Sequence, residues 1–290
     1  MARHRLQIPG PGDVRHCLST LAGEDSLLGS LMEIRMSAPD SDFDGMAVGN
    51  VMLGALTQST GSLGAATQYL TSVLGVTELV LPVSVDDIHL AAVLADGQRV
   101  VGELEVRQPG KAPISHLEVE GGASGVWPPA ADALRSADLL VVGPGSLWTS
   151  IGGVLAVPGV AQALNPRAVV AFVCNTTTQP GQTDSLDFIG HVKVVTALLK
   201  RLPDLVIANL GRLDPTTEQS LAKDGLSLIF ADNDAIQTLA STGTKVIAAD
   251  LLASQVTLGN LWQKLHTAYH DMDRVAAVIG TGISALAVGE

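Results

Sequence analysis

The chain has 290 residues, 47% of them hydrophobic, and a formal net charge of −12. A chain near 300 residues buries about 75% of its unfolded surface on folding, so a substantial core is available within a single unit. The 17 basic residues form no run, and that excludes a nucleic-acid partner, which needs a basic face to neutralise phosphates.

No linker-like stretch divides the chain, and residues 1–290 read as one α/β domain. Aromatic residues make up only 3%, while Ala, Gly, Leu and Val dominate, as suits helices packed closely on a parallel sheet. The mean hydropathy is positive, yet Leu139–Gly143 and Ala168–Cys174 fall far short of the ~18 apolar residues of a membrane span. Arg3, His4 and Arg5 precede no apolar run, so the amino end does not read as a secretory signal. Cys17 and Cys174 match no metal or redox spacing, and a reducing, cytoplasmic location is expected. An anionic small molecule remains compatible with the net charge if helix N-termini and a local cation face it.

The first expected element is a helix from about Val14 to Ala22, after Pro9, Pro11 and Gly12, with Asp13 as its cap. Ser26 is placed to cap a second helix over Leu27–Met36, and Asp40–Gly45 reads as a loop. From Asn50 to Val73 the pattern is two helices broken at Gly61, the first capped by Asn50; Glu78–Val85 then reads as a strand. Asp96-Gly97 predicts a two-residue hairpin turn between strands Ile88–Ala95 and Arg99–Val106, and Ile114–Glu120 adds a third strand. From Ala130 onward helices alternate with strands at Leu139–Val142, Ala168–Val173, Leu205–Ala208, Ser227–Phe230 and Val246–Ala249. This rhythm predicts a parallel sheet with ligands outside its carboxyl ends.

Leu139–Ser150 runs from a buried strand through Gly143-Pro144-Gly145-Ser146 into a helix. Such a turn points backbone N–H groups at an anion: Gly145 lets the backbone come close, and Ser146 can cap the helix and donate to a phosphate. The same pattern also serves as a plain βα turn with a Ser cap. Asp13 and Arg15 open the first helix beside a rigid turn; capping explains Asp13, and a first-turn Arg is commonly solvated. Cys174–Asp184, with Asn175, Thr178 and Asp184, is a polar loop directly beyond a strand end, suited to sugar hydroxyls or a base, or else a solvated connector. His191, His266 and Arg274 read as surface residues of helices, with Tyr269 and Arg274 weighed against contact with a base. No GxxxxGK[ST], GxSxG, HExxH or strand-linked GxGxxG occurs, which argues against ordinary kinases, lipases, zinc proteases and dehydrogenases. No nucleophile is paired with a base in the pattern, so no catalytic residue is assigned.

Taken together these segments resemble the YvcK/CofD-like superfamily. Ala137–Ser150 is similar to its central signature, Gly12-Asp13-Val14-Arg15-His16-Cys17-Leu18 to its Gly-Asp-x-Arg-x-Cys-Leu stretch, and Gly49–Leu53 to its Gly-Asn-Leu-Met-Leu helix. Val173–Asn175, Thr178–Asp184 and His191-Val192 resemble the YvcK branch. The resemblance implies a Rossmann-like three-layer, doubly wound, mainly parallel sheet with an inserted β-hairpin. In the YvcK branch it implies a cytosolic gluconeogenesis factor that binds UDP-sugars such as UDP-N-acetylglucosamine and supports cell-wall synthesis and cell shape. In the CofD branch it implies a phospholactyl transferase with a guanosine diphosphate donor, a deazaflavin acceptor and Mg2+ held by Asp13 or Asp184. The ligand contacts implied are Gly143, Gly145 and Ser146 on phosphate, Asn175, Thr178 and Asp184 on sugar or base, and Asp13, Arg15 and Asn50 in the same cleft. A homo-oligomer is left open.

Two features depart from the family. Its members begin with a strand, a glycine-rich turn and a second glycine segment, whereas here Met1 falls just before Ile8-Pro9, as if roughly fifty residues were missing. An N-terminally truncated fold of this kind is expected to be poorly stable by itself, because its first strand is normally central. The family's Arg-His-Asp-Pro is Tyr269-His270-Asp271-Met272 here, which removes one cation.

Overall fold

The computed structural model describes residues 8–121, 125–253 and 268–287; His266 lies outside them. The chain forms two compact units: Met1–Ile88 with Glu120–Ala133 and Val157–Gly159, and His89–Val119 with Leu134–Ala156 and Val160–Glu290.

The first unit is built on α1 (Gly12–Leu21), α2 (Leu27–Glu33), α3 (Val48–Thr60) and α4 (Leu63–Val73). Ser26 caps α2 as expected, its Oγ accepting from the Gly29 N–H at 3.1 Å. Gly61 ends α3 in the left-handed region at φ +81°, where a side chain would be strained. The four helices enclose Leu18, Met32, Leu53, Leu63, Ala66 and Leu70, all buried. No strand forms over 78–85. Pro82 stands inside that apolar run and cannot donate to a ladder; the segment instead offers the Val83 carbonyl to the Trp127 N–H at 2.7 Å.

In the second unit β1 (His89–Leu94) pairs antiparallel with β2 (Arg99–Val101), followed by α5 (Glu103–Arg107) and β3 (Ile114–Glu120), in the sheet order β2-β1-β3. The hairpin turn is one residue longer than expected. Leu94 O accepts from the Gly97 N–H at 3.0 Å and the Leu94 N–H meets Gln98 O at 2.8 Å, which is a type I turn closed by a left-handed glycine at φ +84°. Asp96 keeps a negative φ, so the mirror-image two-residue turn does not form. The second strand stops at Val101 because the helix formers Glu103, Leu104 and Glu105 follow; Glu103 pairs with Arg107 one turn on at 3.0 Å.

The remaining elements are α6 (Pro128–Ser136), β4 (Leu139–Val142), a π turn (Leu147–Ile151), α7 (Gly152–Leu155), α8 (Val160–Ala163), β5 (Val169–Val173), α9 (Phe188–Leu199), β6 (Leu205–Asn209), α10 (Pro215–Lys223), α11 (Asn233–Ala240), β7 (Lys245–Ala249) and α12 (Met272–Ala287). The strands form a parallel sheet in chain order, β4-β5-β6-β7, with Phe172 beside Val142 on one side and Val206 on the other. On one face α12 packs Val275, Val278 and Ile279 against Ala171, Val173, Leu205 and Ile207. Side chains that alternate onto the opposite face, Val170, Phe172, Val206 and Ala208, are each no more than 1% exposed. Both faces of the central strands are therefore covered, the arrangement a Rossmann-like three-layer sheet requires.

Gly49 fixes how closely three helices of the first unit approach. A Cβ there would stand 2.7 Å from Arg15 Cγ, 2.8 Å from Met32 Cβ and 3.0 Å from Met32 O. Alanine favours a helix by about 1 kcal/mol over glycine, but forcing an atom into packed contacts costs about 1–3 kcal/mol. Gly49→Ala is thus expected to lower the urea midpoint; an unchanged or raised midpoint would show that α1, α2 and α3 separate freely.

Candidate functional site

The carboxyl edge of the parallel sheet gathers the polar groups of the second unit. Gly143 follows β4 directly; its φ is +81° and a Cβ there would meet Val173 O at 2.9 Å, so only glycine fits. Gly145 is different: a Cβ there would sit 3.6 Å from Ile151 Cγ1 and 3.8 Å from Ser150 Cβ, which is ordinary contact. The Gly145 N–H points at Asn175 Oδ1 on the neighbouring strand end, at a long 3.3 Å.

Ser146 does not cap the helix that follows. The chain winds as a π turn in which the Ile151 N–H reaches the Ser146 carbonyl at 2.9 Å, a form often found at functional sites. The Ser146 hydroxyl is buried. It accepts from Thr149 Oγ1 at 2.8 Å and lies 3.0 Å from both Gln179 Oε1 and Gln182 Oε1. With one proton it donates to one of these glutamines at a time, and it fastens the turn after β4 to the loop after β5.

That loop is not a solvated connector: Asn175, Thr176, Thr177, Thr178, Gln182 and Thr183 are all buried. Its backbone partners come from 227–229. Thr178 N–H donates to Ser227 O at 2.9 Å, Thr178 Oγ1 accepts from the Ser227 N–H at 2.9 Å, and the Ile229 N–H meets Thr176 O at 2.8 Å. The expected strand Ser227–Phe230 is therefore an isolated antiparallel bridge, Thr177 to Leu228. It cannot enter the sheet, where β6 pairs directly with β7. Farther along, Asp184 is exposed beside Lys111, in a shallow pocket with Gly110, Pro113, Gly181 and Ser185. The Lys111 ammonium donates to Gln108 O at 2.6 Å and to Gly181 O; burial pushes its pKa down, against the opposing pull of Asp184.

His191 and Arg274 were expected on the surface. His191 is fully buried in α9; its Nδ1–H donates to Asp187 O at 2.8 Å, and its Nε2 meets no partner among the described residues. Phe188, Val192 and Val195 are buried on the same helix, so His191 belongs to the core-facing stripe of α9. Arg274 is exposed but bound, to Asp250 Oδ2 and to Asp271 Oδ2, each at 3.2 Å. His270 Nε2–H donates to Cys174 O at 3.0 Å. Asn209, which the sequence pattern did not single out, is 2% exposed and accepts from the N–H groups of Gly211 at 2.9 Å and Leu251 at 3.1 Å. Its place directly after an expected strand was the available signal.

Asp13, Arg15 and Asn50 lie in the first unit. Asp13 is exposed in the first turn of α1, where Pro11 occupies the cap position and makes no side-chain cap bond. Arg15 is not solvated: it is 3% exposed and its Nε donates to Glu33 Oε1 at 3.1 Å. Asn50 is not a cap either. It is the third residue of α3, behind Ala47, and its buried Oδ1 has no partner among the described residues.

The buried imidazole carries a pH signature. Burial holds the His191 pKa below its ordinary 6.5, so the unfolded chain takes up a proton that the folded chain refuses as pH falls through 6.5. Stability must drop on acidification in that window; His270, lowered by burial as well, acts in the same direction. His191→Gln is expected to flatten the fall in urea midpoint between pH 7.5 and 5.5, and an unchanged fall would assign it to other groups.

Against known proteins, the profile of the family described as 2-phospho-L-lactate transferase CofD matches residues 1–252. A Thermotoga maritima protein that carries the gluconeogenesis factor name provisionally is 34% identical over 279 residues, covering 96% of this chain and 84% of its own. The Bacillus subtilis gluconeogenesis factor is 34% identical over 194 residues, 67% of this chain and 61% of its own length. A solved structure from Bacillus halodurans, a member of the UPF0052 family, has a TM-score of 0.85 at 28% identity and covers 96% of this chain and 85% of that one. A family match over most of the chain, a shared fold and relatives that agree in name place it: the chain belongs to the CofD family, in its YvcK, or gluconeogenesis factor, branch.

Proposed function

We propose that the carboxyl edge of the second unit binds a nucleotide-sugar of the UDP-N-acetylglucosamine type, and that the chain acts through this binding as a regulator of gluconeogenic growth, cell-wall synthesis and cell shape. The observation that carries the reading is the Gly145 amide. It stands at a strand end beside a glycine with positive φ, and its present acceptor is an amide oxygen at 3.3 Å. A diphosphate oxygen would make a shorter, charge-assisted bond there, and Asn175, released from Gly145, could turn to the ligand. Gly143 holds the turn, Ser146 fixes the Gln179 and Gln182 loop, and Thr178 and Asp184 lie along that same loop. Ser146 has glutamine and threonine neighbours, none of which is a base that would make it a nucleophile. This supports binding without turnover.

The CofD profile match favours a second reading, a phospholactyl transferase using a guanosine diphosphate donor and Mg2+. Among the described residues no three His, Cys, Asp or Glu side chains converge as a metal cage. Mg2+ is commonly held by one or two carboxylates plus substrate phosphates, so Asp184 or Asp13 with the donor's diphosphate would be the ligand set. Bound there, the ion would neutralise charge on the diphosphate.

Thermal unfolding separates the two. Binding of UDP-N-acetylglucosamine without metal is expected to stabilise the chain by about 2.7 kcal/mol at a hundredfold excess over Kd. Stabilisation solely by a guanosine diphosphate compound with Mg2+ would favour the transferase. Gly145→Val supplies the control. Its β-branched side chain would stand where a phosphate oxygen must approach, while the room around Gly145 limits the loss of stability to about 1–2 kcal/mol. A folded variant with binding weakened at least tenfold is expected; full binding would remove the phosphate from this turn.

A further inference from the structure

The loop after β6 presents one cation in a fixed pose. Arg212 is exposed, and its guanidinium lies 3.6 Å from the centroid of the half-buried Phe230 ring. Cation–aromatic pairs occur about once per 70–80 residues, so the pair alone marks nothing. What distinguishes this one is how both partners are held. Asn209 clamps the backbone just before Arg212, accepting from the Gly211 N–H at 2.9 Å and donating to Gly211 O at 3.1 Å. Gly211 is buried, and a Cβ on it would collide with Asp250 Oδ1, so the turn packs closely against the end of β7. Phe230 follows directly on Ser227–Ile229, which the buried Thr176–Thr178 loop holds by three backbone-directed hydrogen bonds of 2.8–2.9 Å. Among the described residues no carboxylate pairs with the exposed Arg212 guanidinium, whose ring contact there is Phe230.

The position also fits. Gly145 follows β4 and Arg212 follows β6, two strands away in the order β4-β5-β6. Two strand spacings put these ends about 10 Å apart, comparable to the span of a nucleoside diphosphate from its base to its outer phosphate. The loop of β5, with Asn175 and Thr178, lies between them, where the ribose would fall. We infer that Arg212, backed by Phe230, is a stacking platform for the nucleobase of the bound nucleotide, so that base, ribose and diphosphate lie across the ends of β6, β5 and β4 in that order. This rests on the nucleotide reading proposed above and adds the residue that recognises the base. A guanidinium plane stacks on any base, because every base has a π face. The platform therefore supplies affinity for the nucleotide and leaves the choice among bases to groups at the base edge.

The test is equilibrium binding of UDP and of GDP to the full chain and to Arg212→Ala and Arg212→Lys. Arg212 is exposed, so both variants are expected to stay folded, with Arg212→Ala losing no more than the Phe230 contact. Loss of the stack should weaken UDP and GDP alike by about tenfold or more. Arg212→Lys should be nearly as weak as Arg212→Ala, since an ammonium keeps the charge and loses the plane. Full recovery by Arg212→Lys would make Arg212 a point charge for phosphate and overturn the stacking role. Unchanged binding in Arg212→Ala would overturn it too while leaving the nucleotide reading intact. A parent chain that binds neither UDP nor GDP would overturn both.

Discussion

A parallel sheet whose strands are buried on both faces can show polar groups only where its strands end. In this chain Phe172 and Val206 are covered on one side and Val173 and Ile207 on the other, so chemistry is confined to the turns beyond Val142, Val173, Asn209 and Ala249. Those turns are also where the chain must satisfy buried backbone groups, since each unpaired one costs about 1–3 kcal/mol. The two demands meet in the loop from Cys174 to Asp184. Its threonines and Gln182 are buried, and the loop is hydrogen-bonded outward to Ser146, to Ser227–Ile229 and to Ala268. A loop held from so many sides keeps its shape before any ligand arrives, which lowers the ordering cost of binding.

The same bonds make Ser146 a structural tie between the two loops. Its hydroxyl, placed where a phosphate contact was expected, instead faces Gln179 and Gln182. The backbone amide of Gly145, one residue earlier, is the donor left with a long and neutral partner. Preorganised backbone amides at a strand end suit anions, because they cost no side-chain entropy on binding. In the first unit the corresponding tension is between packing and polarity: Arg15 and Asn50 are both buried on the helices that enclose the apolar cluster, Arg15 with Glu33 as partner and Asn50 with its oxygen unmatched among the described residues.

Much of this architecture was legible in the sequence. The four sheet strands were readable as short apolar runs alternating with helical stretches, and the break at Gly61 and the cap at Ser26 followed from local chemistry alone. What could not be read depends on neighbours distant in sequence. Glu78–Val85 has strand composition, but Pro82 and the pairing of Val83 with Trp127 decide otherwise. Ser227–Phe230 looks like a sheet strand until Thr176–Thr178 takes its hydrogen bonds. His191 and Arg15 have polar names and helical positions typical of a surface, yet the helices that carry them turn those positions inward. The pairing of Arg212 with Phe230, eighteen residues on, has no local signature at all.

The account stands on where a nucleotide-sugar would lie, and a crystal structure of the chain grown with UDP-N-acetylglucosamine measures that directly. It predicts diphosphate oxygens within hydrogen-bond reach of the Gly145 N–H, with the ligand running along the strand ends toward β6. A ligand bound without contact to the turn after β4 would contradict it.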